Sequence, residues 1–301
     1  MPPPMKHFLS IEECHQKKIL DLVSDARTFK ADRRRDANLL AGQSWVLIFS
    51  KPSTRTRISF EVGLRELGAR VLFLAQQDIQ LGRGEPIKDT ARVLGRMIHG
   101  AVIRTFAQQD VEDFAHFSQV PTINALTDEE HPCQIIADLF TISERRELQD
   151  IKVCFVGDGD CNVARSWAWA AEYLGFELRI AAPAKYGLGE EVRSKLKSRK
   201  IIHTQSAQEA AAEADVLYTD VWVSMGKEAE MQARFAEFAP YQINEQLLRV
   251  AQPGALVMHC LPAYRGKEIT EAVFEAHADT IFDQAENRLH AQKAIVAALM
   301  Q

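Results

Sequence analysis

Short apolar runs rich in β-branched and aromatic residues alternate along this chain with stretches whose apolar positions recur every three or four residues. The runs predict strands at 45–49, 70–74, 101–104 and 122–124 in the first half, and at 152–156, 178–182, 216–219, 256–259 and 280–282 in the second. Between them lie helical patterns. Ile87, Ala91, Leu94 and Ile98 share one helical face, with Pro86 expected in its first turn. Strands alternating with helices predict parallel sheets covered on both faces, an α/β fold of two lobes, each a mainly parallel sheet flanked by helices. A helix after His131-Pro132, with Ile135, Leu139 and Ile142 on one face, gives way to clustered charges over residues 143–150 before the next strand. The expected domains are therefore 1–143 and 144–283. A final helix at about 284–300, with Leu289, Ile295 and Leu299 on its apolar side, is expected to pack back on the first domain as part of 284–301.

Composition narrows the class. The 301 residues suit two domains, and 47% apolar with 26% charged residues is the balance of a globular protein. No stretch approaches the ~20 apolar residues of a membrane span, and the N-terminus shows no secretory signal. A net charge of −5 argues against nucleic acid as a partner but leaves room for a small anion held by a few arginines. The basic run at 33–35 is interleaved with Asp32 and Asp36 and reads as a solvated surface. The cysteines, 14, 133, 154, 161 and 260, are odd in number and lack C-x-x-C spacing, which argues against disulfides or a closed zinc site and for a reducing cytoplasm.

The densest chemical signal is Ser53-Thr54-Arg55-Thr56-Arg57, set between the strand 45–49 and a helix carrying Ile58, Phe60 and Leu64. Hydroxyls and guanidiniums at a helix N-terminus favour an anion, through free backbone N–H groups, the helix dipole and forked donors. An ordinary cap would need only one of these hydroxyls. Arg104 ends a strand, where it either enters a cleft at the carboxyl edge of the sheet or merely surfaces. His131 precedes the helix opened by Pro132 and is either a neutral donor beside the helix N-terminus or a simple cap. Gly157-Asp158-Gly159 resembles the start of a dinucleotide fingerprint, but Asn162 stands where the third glycine belongs and Ala181-Ala182-Pro183 offers no ribose-binding acid. No nicotinamide site is expected. Asp220 follows the strand 216–219 and suits an ammonium group; His259-Cys260-Leu261-Pro262 closes another strand. Strand alternation would put His259 and Cys260 on opposite faces, so no Cys–His dyad is expected.

Taken together, Ser53-Thr54-Arg55-Thr56-Arg57, Gln80-Leu81-Gly82-Arg83-Gly84-Glu85-Pro86, Arg104, His131-Pro132-Cys133-Gln134, Asp220 with Ser224-Met225-Gly226, His259-Cys260-Leu261-Pro262 and Glu286-Asn287-Arg288-Leu289-His290 resemble the aspartate/ornithine carbamoyltransferase family over nearly the whole chain. The Ser-Met-Gly and His-Cys-Leu-Pro elements resemble its ornithine branch. The resemblance implies carbamoyl transfer from carbamoyl phosphate to the side-chain amine of L-ornithine, in a cleft between the lobes, without metal or organic cofactor. It implies that Ser53, Thr54, Arg55, Thr56, Arg104, His131, Gln134, Cys260, Leu261 and Arg288 hold carbamoyl phosphate, with Gln80 from a neighbouring subunit of a homotrimer. It implies that Leu126 (through its backbone), Asn162, Asp220, Ser224 and Met225 hold ornithine, and that Arg104, His131, Asp220 and Cys260 serve catalysis. Two departures stand out: Cys161 where the family commonly has the first of two asparagines, and Tyr264 where histidine is frequent.

Overall fold

The computed structural model describes residues 5–75, 84–223 and 228–301. The chain forms two compact units: Met1–Phe140 with Glu286–Gln301, and Thr141–Ala285. In the first, α1 (Gln16–Ala31) precedes β1 (Ser44–Phe49), α2 (Thr54–Glu66), β2 (Arg70–Ala75), α3 (Ile87–Leu94), β3 (Gly100–Arg104), α4 (Gln108–Ser118), β4 (Thr122–Leu126) and α5 (Pro132–Ser143). In the second, β5 (Lys152–Val156), α6 (Asn162–Leu174), β6 (Glu177–Ala181), α7 (Glu190–Arg193), β7 (Ile201–Thr204), α8 (Ala207–Ala211), β8 (Val216–Thr219), α9 (Met231–Phe238), α10 (Glu245–Val250), β9 (Leu256–His259) and α11 (Glu271–Ala276) lead to α12 (Ala278–Ala298). The unit divisions fall inside α5 and α12.

Both sheets are parallel throughout their described pairs. Unit 1 has the order β2-β1-β3-β4 and unit 2 the order β7-β6-β5-β8-β9. Burial explains the sequence pattern. β1 and β3 are almost wholly buried, as strands covered on both faces must be, whereas β2 alternates exposed and partly buried positions at the sheet edge. Unit 1 packs Val46, Ile48 and Ile103 against Val111 and Phe114 of α4. Unit 2 packs Val156, Leu217 and Val257 with Trp222, Phe238 and Phe274. Each order contains a place where the chain reverses its direction of strand addition: between β1 and β3, and between β5 and β8. Ligands of open parallel sheets bind outside the carboxyl ends of the strands at such points.

Expectations at the last helix and at α3 are corrected, and one strand was not expected. Residues 280–282 are helical, not a strand, and α12 begins at Ala278 rather than near 284. The β-rich string Thr280-Ile281-Phe282 is overridden by a longer helical period, since Ile281, Gln284, Arg288, Ala291 and Ile295 are buried while Phe282 is exposed. Pro86 is the cap of α3 rather than its first residue, and Ile98 lies beyond its end. The short edge strand β7, with His203 exposed and its ends partly covered, carried too few apolar residues to be read from the sequence.

Candidate active site

In unit 1 the loop after β1 turns directly into α2. Ser53 caps that helix, its Oγ accepting the Thr56 N–H at 3.3 Å, and no acid occupies the first turn. Thr54 and Arg55 follow, and the buried Thr56 Oγ1 accepts a hydrogen bond from Arg288 Nη2 at 2.7 Å. Arg55 has no carboxylate partner among the described residues. Arg57 differs: it pairs with Glu61 at 3.6 Å and lies over the Phe73 ring at 3.6 Å, so it serves the surface of α2. The sequence grouped two arginines, and the structure separates them.

Arg104, at the carboxyl end of β3, is buried, as are His131 before α5 and Gln134 in its first turn. Burial and the charges of Arg288, Arg104 and Lys51 push the His131 imidazole well below its usual 6.5, so it is neutral near pH 7. Arg104 is in register with Phe49 at the end of β1, two residues before Lys51, and Arg288 reaches the first turn of α2, so the three cations belong to the same edge of the sheet. Gln134 donates from Nε2 to Asp138 Oδ1 at 2.8 Å, one helical turn on, while its buried Oε1 has no hydrogen-bond partner among the described residues. Lys51 was missed in the sequence. It is buried two residues before Ser53, pairs with the exposed carboxylate of Asp128 and lies 4.4 Å from the centre of the Phe106 ring. Burial and the nearby Arg104 lower its pKa, although the bond to Asp128 opposes this. A lone lysine in a loop gave no signal beyond its place between β1 and the Ser53 cluster. Leu126 ends β4, in register with Arg104, and its carbonyl accepts the Thr105 N–H at 3.0 Å.

In unit 2, β8 ends at Thr219 and delivers Asp220, partly buried. Asp220 Oδ1 accepts the Val221 N–H at 2.7 Å and the Cys260 thiol at 3.0 Å. Burial raises its pKa above the ordinary 3.8, with His259 and the Cys260 bond pulling the other way. Cys161 caps α6, its Sγ accepting the Ala164 N–H at 3.5 Å, and Asn162 is the first residue of that helix. Burial and the charges of Asp220 and Asp158 drive the Cys161 thiol far above 9.0, so it is an inert cap and not a nucleophile. Gly157-Asp158-Gly159 is explained by packing. Gly157 has φ +138°, and a Cβ on Gly159 would stand 2.7 Å from Ile180 Cγ2 and 2.9 Å from the Tyr186 carbonyl.

His259 and Cys260 are closer than strand alternation predicts. With Asp220 they bring ligand-type atoms within 4.8 Å of one another, the one such grouping among the described residues. The reason is that β9 ends at His259 and the chain then turns through Leu261 at φ +60°, where alternation no longer applies. No dyad results. His259 Nδ1 accepts the Leu261 N–H at 2.8 Å, so the proton sits on Nε2, which faces Glu268 Oε1 at 3.1 Å. With both ring nitrogens engaged, the trio as arranged offers a metal two ligands, not three. Gln80, Ser224 and Met225 lie outside the described residues.

The first unit thus carries a cation-rich cradle at the β1/β3 reversal, and the second carries a carboxylate–thiol pair at the edge holding the β5/β8 reversal. Family models described as the aspartate/ornithine carbamoyltransferase carbamoyl-P binding domain and Asp/Orn binding domain match residues 6–144 and 149–299. The chain is 58% identical over 299 residues to an ornithine carbamoyltransferase of Akkermansia muciniphila, covering 98% of each, and 46% identical to one of Archaeoglobus fulgidus, also covering 98% of each. Among solved structures it is similar to an anabolic ornithine carbamoyltransferase of Campylobacter jejuni, with a TM-score of 0.93 and 42% identity over 98% of this chain and 99% of that one. A similar match joins it to the ornithine carbamoyltransferase of Pyrococcus furiosus, with a TM-score of 0.91 and 42% identity over 98% of this chain and 97% of that one.

Proposed function

The chain belongs to the aspartate/ornithine carbamoyltransferase family, and from that premise we propose that it is an ornithine carbamoyltransferase, converting carbamoyl phosphate and L-ornithine into L-citrulline and phosphate in arginine metabolism. The observation that carries the reading is the set of buried cations about the α2 N-terminus: Arg104 in register with the end of β1, Lys51 in the loop that follows, and Arg288 donating to Thr56 Oγ1, with buried His131 at the start of α5. Four side chains and a helix dipole suit a small dianion there.

We assign carbamoyl phosphate to residues 1–143 and ornithine to residues 144–283, with the C-terminal helix supplying Arg288 to the first. Ser53, Thr54, Arg55 and Thr56 bind the phosphoryl oxygens. Arg104 and His131 donate to the carbamoyl oxygen. Gln134 keeps one amide N–H beyond the bond to Asp138 and an unpartnered Oε1, so it offers the substrate a donor for an oxygen and an acceptor for the carbamoyl NH2 group. Cys260, Leu261 and, from a neighbouring subunit, Gln80 complete this set. Asn162, Asp220, Ser224, Met225 and the Leu126 backbone hold ornithine, the Asp220 carboxylate facing an ammonium group.

The δ-amine must lose its proton to react, because an alkylamine of pKa about 10.4 is the free base in roughly one molecule per thousand near pH 7. Removal from water favours the neutral amine, the δ-ammonium proton passing to solvent before attack, while the Asp220 carboxylate, which favours a cation, faces the α-ammonium and Cys260 positions the amine. Its nitrogen lone pair then forms the N–C bond at the carbamoyl carbon, and negative charge builds on the carbonyl oxygen, where Arg104 and the neutral His131 receive it. The C–O bond to phosphate breaks with its electron pair, and the amine proton leaves with the phosphate. Juxtaposing the two substrates removes much of the entropic barrier.

We further propose a homotrimer. Ile58 on α2, Leu72 on the edge strand β2, Val93 in α3 and Met97 just beyond it are exposed apolar residues, surface available to a second copy of the chain. Five buried free thiols suit a reducing compartment, and we place the enzyme in the cytoplasm. The activity is tested by assaying ureido product with ornithine, putrescine, N-acetylornithine and aspartate in parallel. Citrulline from ornithine alone is expected; product mainly from another amine would move the enzyme to a different branch.

A further inference from the structure

Arg288 reaches Thr56 in the first turn of α2, yet it is borne by a helix from the far end of the chain. Something must fix α12 along α2. Five residues beyond Arg288, about one and a half helical turns, Lys293 is buried with its ammonium inside the protein. Lys293 Nζ donates to the Arg33 carbonyl at 2.6 Å and to Glu66 Oε2 at 3.0 Å, and lies 5.1 Å from the centre of the Phe29 ring. Glu66 is the last residue of α2, and its other oxygen accepts from Arg33 Nη2. Burial would raise the Glu66 pKa, but the Arg33 and Lys293 bonds hold it below the usual carboxylate range. Between the two ends, Gly63 lets the helices approach: a Cβ there would stand 3.2 Å from Lys293 Cγ and 3.3 Å from Leu289 Cδ1.

α12 is thus pinned to both ends of α2, by Arg288 at the end that carries the anion cradle and by Lys293 at the end remote from it. A buried lysine is costly to desolvate, and hydrophobic residues would hold two helices together at least as well. What an ion pair adds is register, since the ammonium is satisfied at one place only. We propose that the Glu66–Lys293 pair, braced by Arg33, is a positioning device that sets the register of α12 on α2 and so places the Arg288 guanidinium for carbamoyl phosphate. Lys293 and Glu66 do not touch substrate; they act through Arg288. The inference rests on the assignment of Arg288 to the phosphate-binding set.

The test compares Glu66→Gln, Lys293→Met and their double variant with Arg288→Lys, in the full-length enzyme. Three quantities are read: KM for each substrate, kcat, and the Kd of inorganic phosphate. The expected result is a rise of about five- to tenfold in KM for carbamoyl phosphate and in the phosphate Kd for Glu66→Gln and Lys293→Met, with KM for ornithine little changed and the double variant no worse than the poorer single one. Lys293→Arg, which keeps a donor to Glu66, restores phosphate affinity. Loss of thermal stability with unchanged phosphate affinity in Glu66→Gln would show that the pair only holds the helices together and would overturn the proposal. Glu66 is partly exposed, so its variant is expected to fold even if Lys293→Met does not. If Arg288→Lys itself leaves phosphate affinity unchanged, the assignment of Arg288 fails and takes the positioning role with it. If Arg288→Lys weakens phosphate but Glu66→Gln and Lys293→Met do not, the assignment stands and only the positioning role falls.

Discussion

At the scale of single residues, two arginines two positions apart take different tasks. Arg57 is spent on Glu61 and Phe73, whereas Arg55 has no carboxylate partner among the described residues. Arg55→Ala is therefore expected to weaken inorganic phosphate binding by about 10- to 100-fold, the worth of a charge-assisted hydrogen bond of roughly 1.5–3 kcal/mol. Arg57→Ala should shift the same Kd by less than about twofold, as for an exposed ion pair; both are read by titration calorimetry. His131 makes a pH prediction. Its folded pKa lies below 6.5, so the unfolded chain takes up a proton first as pH falls. Stability is then full above about 6.5 and is lost progressively as pH drops from that value toward the folded pKa. Denaturant midpoints of the wild type should fall over that window more steeply than those of His131→Gln; parallel midpoints would contradict a buried neutral imidazole. The sequence alone could mark Arg104 and His131 as candidates but could not choose between a surfacing charge and an inward one, since that depends on what covers them. Lys51 and Glu268 were illegible for the same reason: each gains its role from a partner far along the chain or across a loop.

At the scale of elements, alternating strand and helix signals made the parallel sheets legible, and the failures share a cause. Residues 280–282 have strand-like side chains, yet the buried positions of α12 follow a helical period that continues past them. β7 was too short and too exposed to be seen. Gly159 was legible as a glycine with a purpose but not as a packing glycine, because the atoms it admits belong to β6 and to the turn after it. Gly159→Ala should cost about 1–3 kcal/mol, because the Tyr186 carbonyl it would meet at 2.9 Å is backbone and cannot rotate away. Chemical denaturation checks this, and an unchanged midpoint would show that the loop has slack.

At the scale of the whole molecule, each unit repeats one solution: a parallel sheet whose order reverses once, with the candidate side chains at the carboxyl ends of its strands. The proposed trimer predicts a solution mass three times 33.9 kDa, and Leu72→Glu should lower it, as sedimentation equilibrium would show. The central claim is that the first unit's cradle takes the phosphate while Asp220 of the second takes the amine substrate. Initial rates of citrulline formation by Asp220→Asn, measured across ornithine and carbamoyl phosphate concentrations, address it most directly. Loss of a charged partner predicts a KM for ornithine at least about tenfold higher, with the half-saturating carbamoyl phosphate concentration within about twofold of wild type. Equal loss of both, or an unchanged requirement for ornithine, would contradict it.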